Sequence, residues 1–184
     1  GTYLFNAKDL CAVELLNDIR KAGVVSYKIE GRTKSEYYAA MCTRSYRKAI
    51  DDMMENKPFD DKNLKDLMAL SNRGYTTGFY TRNPREYGEN YHDGRSLEWT
   101  HKAIGTDCRY DEENGLLTFE AKNRIETGTK VEIITPESSQ FQTIDHILDR
   151  NGKIVDTGHG GAGRYAFPYP GDPGEFAIIR RQLY

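Results

Sequence analysis

Cysteine is scarce in this chain, and the few present follow no metal-binding spacing. Cys11, Cys42 and Cys108 lie 31 and 66 residues apart. Without a C-x-x-C or a Cys/His cluster, neither a zinc site nor an iron–sulfur site is expected from these residues, and no metal ligand is assigned. An odd, sparse set with no signal peptide points to a reducing, cytoplasmic setting. Long apolar runs are also missing: none approaches the roughly 18 residues that cross a bilayer, so no membrane partner is expected. Nor is there a large excess of one charge, the formal net being -2. That excludes a protein that coats nucleic acid by bulk charge alone. The average conceals an asymmetry, because residues 1–50 hold nine Lys/Arg against five Asp/Glu, while the remainder holds 17 against 23. Contacts with a polyanion are therefore expected mainly on the first part. The opening Gly1-Thr2-Tyr3-Leu4-Phe5 has no initiator Met and reads as the interior of a longer polypeptide.

What is present is globular: 38% hydrophobic and 29% charged residues, with 13 Tyr that bring apolar bodies and hydrogen-bonding tips to surfaces. Residues 2–5 read as a strand. Asn6 with Asp9 three residues on resembles a capping box, opening a helix with Leu10, Val13, Leu16 and Ile19 on one face and Gly23 as its stop. Residues 24–29 are β-branched and aromatic, hence a strand. Ser35 caps a helix to about Glu55, with Tyr38, Cys42, Tyr46, Ala49 and Met53 on one face. A third helix over 61–70 buries Leu64, Leu67 and Met68. Residues 71–80 and 83–95, rich in Gly, Tyr, Asn and Arg, read as a connecting loop. From about Leu97 short strands alternate with turns, at 116–121, 130–135, 141–147, 153–156, 164–167 and 176–180. The fold class is therefore α/β plus β. Residues 1–92 form the C-terminal segment of a βα (TIM-like) barrel, which needs partner strands from a missing N-terminal part. Residues 93–184 form a small antiparallel β-barrel.

The sharpest motif is Lys28-Ile29-Glu30-Gly31-Arg32-Thr33-Lys34-Ser35. Alternation along a strand puts Lys28 and Glu30 on one face, at the strand end where barrel enzymes carry their sites. A buried Lys–Glu pair is costly, so it serves either a ligand or a self-satisfied ion pair that closes the barrel. Arg32 and Lys34 add cations beside the next helix N-terminus, where a carboxylate or phosphate can be held. Arg44, Arg47 and Lys48 beside Tyr37, Tyr38 and Tyr46 suit RNA, or else form a solvated face with Tyr in the core. The stretch 72–80, with Arg73 and Tyr75, either faces substrate or ties two domains. His159-Gly160-Gly161-Ala162-Gly163 reads as a turn, since no G-x-S-x-G nucleophile accompanies it.

At these motifs, with Tyr46-Arg47-Lys48-Ala49-Ile50-Asp51 and Arg73-Gly74-Tyr75-Thr76-Thr77-Gly78-Phe79, the chain resembles the peptidase U-32 family, also called collagenase-like proteases. It is most similar to the branch of prephenate-dependent tRNA uridine hydroxylases. The resemblance runs in order over nearly the whole chain, and its β-domain part is the looser one. It implies an enzyme that hydroxylates C5 of the wobble uridine in tRNA, with prephenate as co-substrate and an iron–sulfur cluster in some relatives. Those cluster cysteines precede the matching region, so this chain alone is expected to bind no cofactor and to be inactive. On the family pattern Lys28, Glu30 and Arg32 are catalytic candidates. Arg32, Lys34, Tyr38, Arg44, Arg47, Arg73 and Tyr75 are substrate-binding candidates. Two other readings stand beside this one: a U-32 peptidase, which lacks a nucleophile–base pair or an H-E-x-x-H motif here, and a non-catalytic module that binds RNA or a partner.

Overall fold

A computed structural model describes residues 7–81, 88 and 100–183. The expected strand at 2–5, the Asn6 cap and, apart from residue 88, the loop at 83–95 fall outside them. The chain divides into two compact units, Gly1–Trp99 and Thr100–Tyr184.

In the first unit Asp9 and Leu10 are a short strand, β1, rather than the first turn of a helix. Their backbone is claimed by a parallel pairing with β2 (Tyr75–Thr76), in register Asp9 to Tyr75. The Asp9 carboxylate receives Arg73 through its backbone N–H at 3.1 Å and its guanidinium at 2.8 Å. These tertiary bonds outweigh the local helix signal. Helical backbone starts with a 3-10 turn at Val13–Leu15 and continues as α1 (Leu16–Lys21). Gly23, at φ 92, then reverses the chain.

Residues 24–30 are not a strand, despite their composition. Among the described residues they find no neighbouring strand, and β propensity without a partner forms no ladder.

The capped helix is as the sequence predicts. α2 spans Glu36–Met54, and Ser35 Oγ accepts the Tyr38 N–H at 3.2 Å. Its core stripe is offset, however: Tyr37, Met41, Cys42, Ser45 and Ala49 are buried, while Tyr38 and Tyr46 are only partly so. α3 (Asp61–Met68), capped by Asp60, buries Leu67 but leaves Met68 exposed. Arg44 reaches Asp66 at 3.4 Å, both side chains 8% exposed, and ties α2 to α3.

The second unit is a curled antiparallel sheet, a half-barrel of eight strands in the order β7-β6-β12-β3-β4-β11-β8-β9. In chain order these are β3 (His101–Asp111), β4 (Leu116–Ala121), β6 (Lys130–Ile134), β7 (Ser139–Thr143), β8 (Ile147–Leu148), β9 (Ile154–Val155), β11 (Arg164–Pro168) and β12 (Ile178–Gln182). A separate pair joins β5 (Ile125–Glu126) to β10 (Thr157–Gly158). Alternate residues of the strands close one core around Ile104, Leu117, Phe119, Ile133, Phe167 and Ile179. Curling is reinforced by side chains: Gln142 Nε2 donates to Pro168 O at 2.6 Å and Tyr169 Oη to Gln140 Oε1 at 3.0 Å.

Three details depart from the sequence reading. β3, the longest strand, is absent from it. β7 begins at Ser139 and ends at Thr143, short of Ile147. β12 begins at Ile178, because Phe176 has φ 60 and cannot join a ladder.

Candidate functional site

A cleft of about 530 Å³ opens within the first unit. One wall is the extended segment 24–30 followed by the turn 31–34, in which the Lys34 N–H donates to Gly31 O at 2.9 Å. Lys28, Glu30, Arg32 and Lys34 all line the cleft from this wall. All four are exposed, so the costly buried Lys–Glu pair does not exist in the described residues. Glu30 turns back instead, and its Oε1 accepts the Arg32 N–H at 2.9 Å. That bond fixes the turn and leaves the Lys28 ammonium and the Arg32 guanidinium to the cleft. Lys34 lies over the Tyr38 ring, 5.0 Å from its centroid.

The opposite wall is phenolic and sulfur-bearing. Tyr38, Cys42 and Tyr46 occupy successive turns of α2 and meet Cys11 and Tyr75 there. The Tyr46 hydroxyl accepts the Ala12 N–H at 3.1 Å and donates to Cys11 Sγ at 3.9 Å. Tyr75 Oη donates to Leu67 O at 2.9 Å. Burial pushes the Cys11 thiol up and the Cys42 thiol up to about 11, and it raises the Tyr38, Tyr46 and Tyr75 phenols as well. At neutral pH this wall is uncharged, facing a rim of cations.

The cleft thus gathers seven of the residues singled out in the sequence: Lys28, Glu30, Arg32, Lys34, Tyr38, Arg73 and Tyr75. Arg73 lines it, but its guanidinium fork is engaged by Asp9. Two expected substrate contacts stand elsewhere. Arg44 is spent on Asp66, and Arg47 pairs on the exposed helix face with Asp51 through Nε at 3.0 Å. The loop at 72–80 is partly structural, since Asn72 accepts the Gly74 N–H at 2.9 Å and donates to Leu70 O at 2.8 Å. Cys11 was not singled out as a site residue, and Tyr46 was read only beside the helix cations, although it follows Tyr38 and Cys42 on the stripe that lines the cleft.

The donor set does not fit an iron–sulfur cluster. Only Cys11 and Cys42 share this cleft, and no group of three or more His, Cys, Asp or Glu among the described residues could hold a metal ion. What the arrangement can do is bind: an anion at the Lys28–Arg32–Lys34 rim, and a flat ring against tyrosine faces.

Residues 1–90 match peptidase family U32, and residues 100–180 match the peptidase family U32 C-terminal domain. A relative from Haemophilus influenzae, "tRNA hydroxylation protein P", is 37% identical over 184 residues, all of this chain and 40% of its own length. Its namesake from Escherichia coli is 37% identical over 172 residues, 94% of this chain and 38% of its own length. The chain therefore spans about two-fifths of the curated relatives it matches. The crystal structure of the C-terminal domain of a Geobacillus thermoleovorans putative U32 peptidase covers 47% of this chain and 99% of its own, at 25% identity and a TM-score of 0.40. By both matched regions, in the order they occupy here, the chain belongs to peptidase family U32.

Proposed function

We propose that this chain is part of a tRNA-hydroxylating enzyme, with its cleft forming one side of the catalytic site and tRNA as the substrate. The observation that carries the reading is the convergence of Lys28, Arg32 and Lys34 on a neutral wall of tyrosines, with Glu30 bonded to the Arg32 backbone. The relatives named tRNA hydroxylation protein P support the reaction class. In the whole protein, residues 1–92 belong to the end of a βα barrel. The finer reaction is hydroxylation at C5 of the wobble uridine with prephenate as co-substrate. Prephenate suits the cleft in kind, being a ring that bears carboxylates: Arg32 and Lys34 hold a carboxylate, Tyr38 flanks the ring, and Glu30 keeps Arg32 in place. A peptidase mechanism fits the cleft less well, because both of its thiols are pushed up by burial and neither is an activated thiolate.

The test is mass spectrometry of tRNA nucleosides from cells whose own gene of this type is deleted and replaced by the full-length gene carrying this chain. Arg32→Ala and Glu30→Gln should each abolish hydroxyuridine while the protein stays soluble at wild-type levels. Undiminished modification in a variant removes that residue from the mechanism, and no hydroxyuridine with the wild-type gene rejects the reaction class.

A further inference from the structure

We infer that the mouth of the half-barrel holds a pocket for one unpaired nucleobase, read by its hydrogen-bonding edge and not by its phosphate, and that the base belongs to the tRNA. The inference rests on the tRNA reading proposed above and adds to it a site in the second unit.

A pocket of about 420 Å³ lies between the β6–β7 hairpin and the segment 169–173 that leaves β11. Mouths of β-barrels are favoured places for ligands. The hairpin wall carries Ile133, Thr135, Ser138 and Gln140. Ile133 and Gln140 are register partners, so their side chains share one face. Thr135 closes the turn: its N–H donates to Ser138 O at 2.9 Å, and its hydroxyl accepts the Ser138 N–H at 3.0 Å. The other wall, Tyr169-Pro170-Gly171-Asp172-Pro173, is equally fixed. Tyr169 N donates to Gly115 O at 3.0 Å, and its ring meets Phe167 edge-on at 6.5 Å between centroids. Asp172 Oδ1 accepts the Gly174 N–H at 2.9 Å, and prolines hold φ on either side of Gly171-Asp172. Both walls are set before anything binds, which lowers the ordering cost of association.

The lining selects the occupant by chemistry. Among the described residues that line the pocket there is no Lys, Arg or His, and the one formal charge is the Asp172 carboxylate. An anion would meet that carboxylate with no cation to offset it, which disfavours phosphate. Tyr169 Oη donates to Gln140 Oε1 at 3.0 Å, so the amide presents its Nε2 donors, which have no partner among the described residues. Asp172 keeps Oδ2 as an acceptor, and Ile133, Pro170 and Pro173 supply apolar surface. The group that fits is flat and uncharged, with a carbonyl beside N–H donors. Guanine carries these in one edge: O6 accepts from the amide, while N1–H and N2–H₂ donate to the carboxylate. Unpaired RNA nucleotides expose such edges. Contact through a base also suits a unit in which half of the cations already face carboxylates, since base contacts specify where phosphate contacts only position.

The experiment titrates this chain, isotopically labelled, with guanosine, adenosine, uridine, ribose and guanosine monophosphate, and follows amide shifts by NMR. Guanosine should bind with a Kd below about 1 mM, moving the Gln140 side-chain amide and the Gly171 and Asp172 amides, and at least about threefold tighter than adenosine or uridine. The monophosphate should bind no tighter than guanosine. Gln140→Ala and Asp172→Asn, both at exposed positions, should each weaken guanosine at least about fivefold, the Asn keeping an acceptor for the Gly174 N–H. Phe141→Ala, on the opposite face of β7, should leave it unchanged. No binding, shifts elsewhere, equal shifts with ribose, or tighter binding of the monophosphate each overturns the inference. In cells carrying the full-length gene, Gln140→Ala and Asp172→Asn should each lower hydroxyuridine in tRNA at least about threefold. Undiminished hydroxyuridine in both, beside intact guanosine binding by the wild-type chain, would assign the pocket to a free nucleoside and end the tRNA part of the inference. No hydroxyuridine even with the wild-type gene would sink the hydroxylase reading, while the guanosine titration would still judge the pocket on its own.

Discussion

Arg180 and Glu132 form the most consequential ion pair in the second unit, with Arg180 Nε 2.7 Å from Glu132 Oε2 and both side chains 5% exposed. Burial by itself would push the Glu132 carboxyl up. The Arg180 hydrogen bond and charge, helped by Ser139 and His101, outweigh it and hold the group below its ordinary value of 4.5. A depressed carboxylate stabilises the fold above that ordinary value, and the contribution is lost as pH falls through the folded value. Glu132→Leu should cost about 3–5 kcal/mol, because Arg180 keeps its buried charge without its carboxylate. Glu132→Leu with Arg180→Met should recover most of that loss in urea titrations at pH 7, and should flatten the acid limb of stability below pH 4.5. Equal losses in the single and double variants would show that the pair is only a packing element. The thiols invite a second residue-level prediction. Cys42 is pushed up to about 11 and Cys108 to about 12, chiefly by burial, and Cys11 is raised as well. Iodoacetamide at pH 8 should therefore leave all three unmodified over hours in the native chain and label them within minutes in denaturant. Fast native labelling of Cys42 would contradict the burial of the sulfur-bearing wall.

At the scale of elements, strand β3 is held against β4 by a missing side chain. A Cβ built on Gly105 would fall 2.3 Å from Phe119 Cδ2 and 2.9 Å from its Cγ. Phe119 is fully buried and packs against Phe167 at 5.7 Å between ring centroids, so it has nowhere to retreat. Gly105→Ala should destabilise by about 1–3 kcal/mol through overpacking. Adding Phe119→Leu should lower the further cost below the sum of the two single changes, which a urea double-mutant cycle reads directly. Strict additivity would refute the clash. The same glycine helps explain why β3 was illegible in the sequence, since Gly105 in a strand interior weakens the β signal, and Asp107 takes φ 48 inside the strand. The register slips between Thr106 and Arg109, where the irregularity breaks the period-2 pattern. Elements whose signals are local were legible. Ser35 caps α2 through its own hydroxyl, and Gly115 and Gly128 take left-handed backbone at the turns they mark. The segment 24–30 was legible as β-forming but not as unladdered, because a ladder depends on a partner that no local pattern reports. Much the same holds for the site: the chain order placed Lys28 to Lys34 together, whereas Cys11 meeting Tyr46 across 35 positions is a product of packing.

Across the whole molecule, charge is divided unevenly: residues 1–99 hold sixteen Lys/Arg against fifteen Asp/Glu, and the second unit is the more acidic. Residues 100–184 hold ten Lys/Arg against thirteen Asp/Glu. Half of those cations are paired with carboxylates: Arg180 with Glu132, Arg109 and Arg164 with Asp107, Arg124 with Glu126, Lys122 with Glu120. Lys130 lies over the Phe141 ring at 4.9 Å. Each phosphate neutralised by a cation contributes a salt slope of about -0.9 on duplex nucleic acid and about -0.7 on single strands. A surface whose cations face carboxylates offers few such contacts. Residues 100–184 enclose their own core, so they should melt cooperatively when produced alone. Titrated with labelled tRNA at 50 and 200 mM salt, this folded unit should bind weakly, with affinity changing by less than about tenfold between the two. The cleft of the first unit presents Lys28, Arg32 and Lys34 exposed along one rim, and tRNA binding by the full-length protein should fall when all three are changed to Ala. Tight, steeply salt-dependent binding by residues 100–184 alone would reverse the assignment, making the half-barrel the RNA-docking part and the cleft a site for small anions only.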